Sequence, residues 1–193
     1  MTPRTFIEIL SVAERLKQTF RHSYTSETRQ ESVAEHCWRL GFMALLLEKD
    51  FPELDMNKVI KMCLLHDMGE AFTGDIPAFD KTADHEACEC AALQHWLQTL
   101  PVEISADFRD LYAEMDALQT SEAKLYKALD KLEALIQHNE ADICTWLPLE
   151  YDLQLTYGNE ACAFDPRIQR IREEVREDSL RKIEEKNNGK KEN

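Results

Sequence analysis

Two histidines and two aspartates, His36, His66, Asp67 and Asp130, are the residues of this chain whose types and order could hold a divalent metal ion. His66 and Asp67 are adjacent, in LLHDMGE. Neighbours on a helix point about 100° apart, so two polar side chains buried together at a helix end need a shared partner that offsets their desolvation. A divalent cation is such a partner. Two imidazoles and two carboxylates make a mixed nitrogen and oxygen set, leaving positions open on an octahedral ion for water and a substrate oxygen. That set suits manganese, cobalt, iron(II) or magnesium, whereas closed structural zinc sites favour thiolates. Taken singly, the residues have blander readings. His36 shares a face with Leu40, Met43 and Leu47 and could be a satisfied core histidine, and Asp130 has Lys124, Lys127 and Lys131 at hand as ion-pair partners.

The elements that must position these side chains are helices. Residues 5–18 carry Phe6, Ile9, Leu10, Ala13 and Leu16 at helical spacing. A polar stretch from Arg21 to Glu31 then breaks the pattern. Ser32 followed by Glu35 is a capping-box signature that starts a second helix running to Leu47, with His36 in its opening turns. A third is predicted over 56–68, ended by Gly69 in a left-handed cap, which puts His66 and Asp67 in its last turn. The segment 70–81, with Gly74, Asp75, Pro77 and Asp80, reads as a turn and a loop. Further helices are expected over 83–99 and 103–118, separated by Pro101. Residues 121–140 give the clearest helix, with Leu125, Leu129, Leu132 and Ile136 on one stripe and Asp130 on its shoulder. A helical stretch near 148–156, a turn over 157–166 and an amphipathic helix from Arg167 complete the chain. The reading is all-α and a single domain over residues 1–185, with the metal site between helices and a charged, frayed tail over 186–193.

Composition agrees with that reading. The chain has 193 residues, 44% of them hydrophobic, with only 5 Gly and 6 Pro, which favours helices and almost no sheet. Its formal net charge of −14 repels polyanions, and the one arginine-rich stretch, Arg167 to Arg176, is interleaved with Glu173 and Glu174, so a nucleic acid polymer is not expected as partner. Six cysteines lack any C-x-x-C pair and read as buried, structural thiols of a reduced compartment. Trp38, Trp96 and Trp146 are expected to pack the core. The longest apolar run, Phe42 to Leu47, is too short for a membrane span or signal core. A cytoplasmic location is the expectation.

The order His, then His-Asp, then Asp resembles the HD-domain superfamily of metal-dependent phosphohydrolases. ESVAEHCWR around His36, LLHDMGEAFTGDIP around His66 and ALDKLEALIQ around Asp130 are similar to the branch of small HD proteins that act as 5′-deoxynucleotidases. The resemblance spans roughly residues 5 to 140. It implies a helical bundle, one divalent metal ion held by His36, His66, Asp67 and Asp130, and release of phosphate from nucleoside 5′-monophosphates. It also implies that Glu70 orients or deprotonates the attacking water, that Asp75 contacts the sugar or the catalytic network, and that Arg21 grips the phosphate through a bidentate guanidinium. Beside Arg21 the chain departs from the family pattern. A Trp that crowds the ribose 2′ position is replaced by His22, assigned here to substrate binding, which leaves selectivity for deoxyribose open.

Two other readings remain at this point. The same fold could act on a cyclic or polyphosphorylated nucleotide, although the chain has no GYP signature and is short for a triphosphohydrolase. Alternatively it could be a catalytically silent nucleotide- or metal-binding module, against which Glu70 argues. His85 and His95 stand where dinuclear HD proteins supply extra ligands. They stand ten residues apart in one helical stretch, and neither is assigned as a ligand; a mononuclear site is expected. A homodimer is expected from the amphipathic C-terminal helix and the resemblance.

Overall fold

A computed structural model describes residues 1–189. The helices are α1 (Pro3–Arg15), α2 (Val33–Leu46), α3 (Met56–Leu65), α4 (Glu70–Thr73), α5 (Ala83–Thr99), α6 (Val102–Ala117), α7 (Ser121–Glu140), α8 (Glu150–Thr156), α9 (Asn159–Cys162) and α10 (Pro166–Gly189). Polar residues set their starts. Thr2, Asp55, Thr82 and Thr120 each accept a hydrogen bond from a backbone N–H of the first turn, at α1, α3, α5 and α7, satisfying donors that otherwise lack partners. At α2 the capping box is complete: Ser32 Oγ accepts from Glu35 N at 3.3 Å, and Glu35 Oε2 accepts from Ser32 N at 2.9 Å.

Helix α7 is the axis of the molecule. It packs against α2, α3, α6, α9 and α10, and its Ala123, Leu125, Ala128, Leu129 and Leu132 are fully buried. Val33, Leu40, Val59, Met62, Leu97 and Ile168 close the core around it from other helices. Arg172 of α10 ties down the connection behind α7, donating to the carbonyls of Gln154 and Tyr157.

Several expectations are corrected. The polar stretch after α1 forms an antiparallel hairpin, β1 (Phe20–Tyr24) with β2 (Gln30–Ser32). It is held to α7 by Gln137, which donates to the Tyr24 carbonyl at 2.6 Å, a long-range contact that period counting cannot register. Helix α3 ends at Leu65, and Gly69 is right-handed at φ −60°. Gly69 is small for a steric reason, since a Cβ there would lie 2.8 Å from Glu89 Cγ of α5. The positive φ falls at Gly74 instead, which at φ 80° ends the one-turn α4 inside the segment expected to be irregular. Trp96 and Trp146 are buried, but Trp38 is 66% exposed. Cys37, Cys63 and Cys162 are buried, whereas Cys88, Cys90 and Cys144 are exposed, and all six are free thiols. Helix α10 runs through the first four residues of the expected tail, and the tail beyond it, 190–193, lies outside the described residues. Among the described residues no helix is long and apolar enough to cross a membrane.

Candidate active site

The capping box fixes where α2 begins and so delivers His36, fully buried, toward α3 and α7. Its Nδ1 is hydrogen bonded to a carboxylate oxygen of Glu133, also fully buried, from α7. At the C-cap of α3, His66 Nδ1 sits 3.0 Å from the Cys63 carbonyl. Each histidine therefore places its ring hydrogen on Nδ1, donated to an oxygen, and presents a lone pair on Nε2. These two Nε2 atoms face each other at 3.2 Å.

Carboxylates complete the cluster. Asp67 Oδ2 lies 3.0 Å from His66 Nε2 and 3.7 Å from His36 Nε2. Asp130 Oδ1 lies 3.4 Å from His36 Nε2 and 3.8 Å from His66 Nε2. In those tautomers four electron-pair donors converge, an arrangement that repels itself unless a proton or a metal cation joins it. Ligands at adjacent corners of an octahedron with bonds of about 2.1 Å stand about 3 Å apart, which the closest contacts match. The donor set fits a divalent metal ion.

The surrounding charges follow from burial and neighbours. Burial works against ionising Asp67 and Asp130, but His66 and His36 beside the first, and Lys127 and Lys131 beside the second, hold both below the usual carboxylate range. Lys127 Nζ stands 2.9 Å and Lys131 Nζ 3.6 Å from Asp130 Oδ2, while Oδ1 is the oxygen nearest the two histidines. Burial likewise opposes protonation of His66, yet Asp67 raises its proton affinity. Glu70, 5% exposed, has an Oε2 without any hydrogen-bond partner, and burial together with Asp67 and Asp75 pushes its carboxyl up to about 10. Burial also raises Asp75.

Asp67, Glu70, Asp75, Asp130, Arg21 and His22 all line one cavity of about 600 Å³. His36 and His66 stand behind that wall. Arg21, on β1, lies 3.8 Å from Asp67 Oδ2 and 3.3 Å from Glu31 Oε2, with its Nε making no hydrogen bond. Burial disfavours its charge, but Glu133, Asp67, Glu31 and Asp75 hold the guanidinium firmly protonated. The hairpin explains why a residue in a polar, aperiodic stretch reaches the site. His22 Nε2 is 3.2 Å from Glu150 Oε1, and its ring stands edge-on to Phe79. His85 is exposed, and its Nδ1 accepts the Thr82 N–H at the start of α5; His95 is exposed on the same helix, and neither lines the cavity.

Sequence reasoning missed Glu133, although it lies three residues after Asp130 on one helix face, the spacing at which side chains meet. It also missed His138 and Glu150, which line the cavity from α7 and α8; nothing in local sequence joins them to His22.

The HD domain family matches residues 13–172. This chain belongs to that family. The HD-domain protein described here is 32% identical over 145 residues to a 5′-deoxynucleotidase HDDC2 of Dictyostelium discoideum, covering 70% of this chain and 76% of that one. It is 33% identical over 138 residues to its namesake from Xenopus laevis, covering 69% and 68% of the two chains. Among solved structures it is similar to one from Magnetospirillum magnetotacticum described as a predicted metal-dependent phosphohydrolase, with a TM-score of 0.81, 26% identity and 93% of each chain covered. A Pyrococcus furiosus structure shares 28% identity and a TM-score of 0.62 over 91% of this chain and 99% of the other.

Proposed function

We propose that this HD-domain protein is a metal-dependent phosphohydrolase that releases phosphate from ribo- or deoxyribonucleoside 5′-monophosphates. One observation carries the reading: two imidazole lone pairs and two carboxylates converge at the wall of a cavity that also holds a half-buried arginine and an unpartnered glutamate. His36, His66, Asp67 and Asp130 would hold a single divalent ion, drawn from manganese, cobalt, iron(II) and magnesium. When bound, that ion supplies positive charge that acidifies a nearby water, offsets charge on the phosphoryl group and favours the ionised form of Glu70.

The protein's own residues do the rest. Arg21 grips two phosphate oxygens through its forked guanidinium, already oriented by Glu31 and Asp67. Glu70 takes the proton of the attacking water on its free Oε2. Burial makes this carboxylate a stronger base than one in water. Lys127 and Lys131 add positive charge to the cavity wall beside Asp130, which matters in a protein of net charge −14 that must admit a dianion. His22 and Asp75 face the nucleoside. The activity for which the relatives are named, 5′-deoxynucleotidase, supports this substrate class over cyclic or polyphosphorylated nucleotides.

The HD domain extends over residues 1–185 and the protein acts as a cytoplasmic homodimer; three exposed free thiols, Cys88, Cys90 and Cys144, support a reducing compartment. The deciding experiment is hydrolysis of a panel of ribo- and deoxyribonucleoside 5′-monophosphates in each metal, with Asp67→Ala alongside. Phosphate release by the native protein alone is expected, and the ratio between sugars reads the consequence of His22. Metal and nucleotide binding without release from any panel member would leave a silent binding module instead.

A further inference from the structure

The cavity has a second concentration of ligand groups, at the end away from the His-Asp cluster. His22 of β1, His138 of α7 and Glu150 of α8 each offer a ligand atom, and the three atoms lie within 4.8 Å of one another. We propose that these residues bind a second divalent cation of the zinc type, separate from the ion of the His-Asp cluster.

The hydrogen bonds around the group support this. Glu150 is 4% exposed, and its Oε2 is already occupied as acceptor of the Leu147 N–H at 2.6 Å. Its Oε1 points at both histidines, 2.8 Å from His138 Nε2 and 3.2 Å from His22 Nε2. His138 has acceptors on both sides, since its Nδ1 lies 3.0 Å from the Ala134 carbonyl. A neutral imidazole carries one ring hydrogen and cannot serve both. With that hydrogen given to Ala134, the Nε2 lone pair and a carboxylate oxygen face each other, and a cation between them turns repulsion into coordination. Two imidazoles and one carboxylate are the protein ligands of an open zinc site, with further positions free. All three residues line the cavity, so those positions face its interior.

The two centres are distinct. Asp130 and His138 stand eight residues apart on α7, about 12 Å along its axis, well beyond the separation of about 4 Å at which two ions share one phosphate. The second ion would therefore meet the part of a bound molecule remote from the phosphate. Its occupancy does not depend on the hydrolase reading.

Metal content tests this directly. The full chain, with Cys88, Cys90 and Cys144 changed to Ser so that exposed thiols bind no zinc, is stripped of metal and loaded with Zn(II). Bound zinc is counted by mass spectrometry after gel filtration, and Co(II) loading is followed by its d–d absorption. Two equivalents are expected, falling to one in His138→Ala, in His22→Ala and in Asp67→Ala, and to none when Asp67→Ala and His138→Ala are combined. His22 is the more exposed histidine, so its variant keeps the test valid should His138→Ala unfold. A native stoichiometry of one, or two equivalents retained in a folded His22→Ala or His138→Ala, would overturn the proposal and leave a proton as the partner of Glu150.

Discussion

At the residue scale, the proposed chemistry turns on Glu70 and on the carboxylate behind His36. Glu70 has a free oxygen in the cavity wall and is proposed to move a proton without holding the metal. Glu70→Gln keeps the shape and removes the base, so kcat is expected to fall by about 10²- to 10⁴-fold while calorimetric metal stoichiometry stays unchanged; equal turnover would remove Glu70 from the mechanism. Glu133 acts through His36. By accepting the Nδ1 hydrogen it fixes the tautomer and turns the Nε2 lone pair toward His66. Glu133→Gln can still accept that hydrogen but loses the charge that makes the imidazole a better ligand. Metal affinity measured by competition with a chelator is expected to weaken by about 10- to 100-fold, and native affinity in a folded variant would refute the positioning role.

At the element scale, the start of α2 decides whether His36 arrives at all. Glu35 closes the capping box with Ser32 and pairs with Arg29 of the hairpin turn at 2.9 Å, so one side chain clamps hairpin to helix. The Arg29 contact, opposed by partial burial and aided by Ser32, lowers Glu35 from 4.5 to about 2. A depressed carboxyl stabilises the fold above its unfolded value and loses that contribution as pH falls toward the folded one. Glu35→Gln is therefore expected to be less stable than the native protein at pH 7, with the two converging between pH 4.5 and about 2. The gap is modest, because the pair is largely exposed and screened. Denaturant titrations at pH 7 and pH 3 read it, and a gap that is constant with pH would contradict the clamp.

For the whole molecule, the His-Asp cluster joins α2, α3 and α7, so metal binding should stabilise the entire fold. At a free metal concentration of 100 times Kd the gain is about 2.7 kcal/mol, which corresponds to a Tm rise of several degrees for a chain of this size. Manganese is expected to raise Tm in the native protein and to leave Asp67→Ala unmoved; an equal rise in both would put the ion elsewhere. Assembly also belongs to this scale. Trp38, Phe42, Leu45 and Leu46 lie exposed along one face of α2, with the first two rings stacked, whereas the exposed side of α10 carries ion pairs such as Arg176 with Glu173. The proposed homodimer is accordingly expected to form through α2 rather than α10. Light scattering should find a dimer that Trp38→Glu converts to a folded monomer, and a native monomer would remove the proposal.

The helices and the order of the candidate ligands are legible along the chain. Helix α7 is found over the very span that its periodicity predicts, and α2 starts at the Ser32 cap, because apolar spacing and caps are local properties that each segment carries wherever it packs. LLHDMGE marks the site for a similar reason: two adjacent polar groups in an apolar helix end need a partner. Tertiary structure decided what depends on residues distant in the chain. The hairpin that brings Arg21 and His22 to the cavity forms against α7, Gly69 is small because α5 passes close to it, and Trp38 is exposed because no element among the described residues covers that face of α2. Glu133 behind His36, and the meeting of His22, His138 and Glu150, likewise exist only once β1, α2, α7 and α8 are packed, since a helical or strand period says which face a residue shares but not which distant segment will stand opposite.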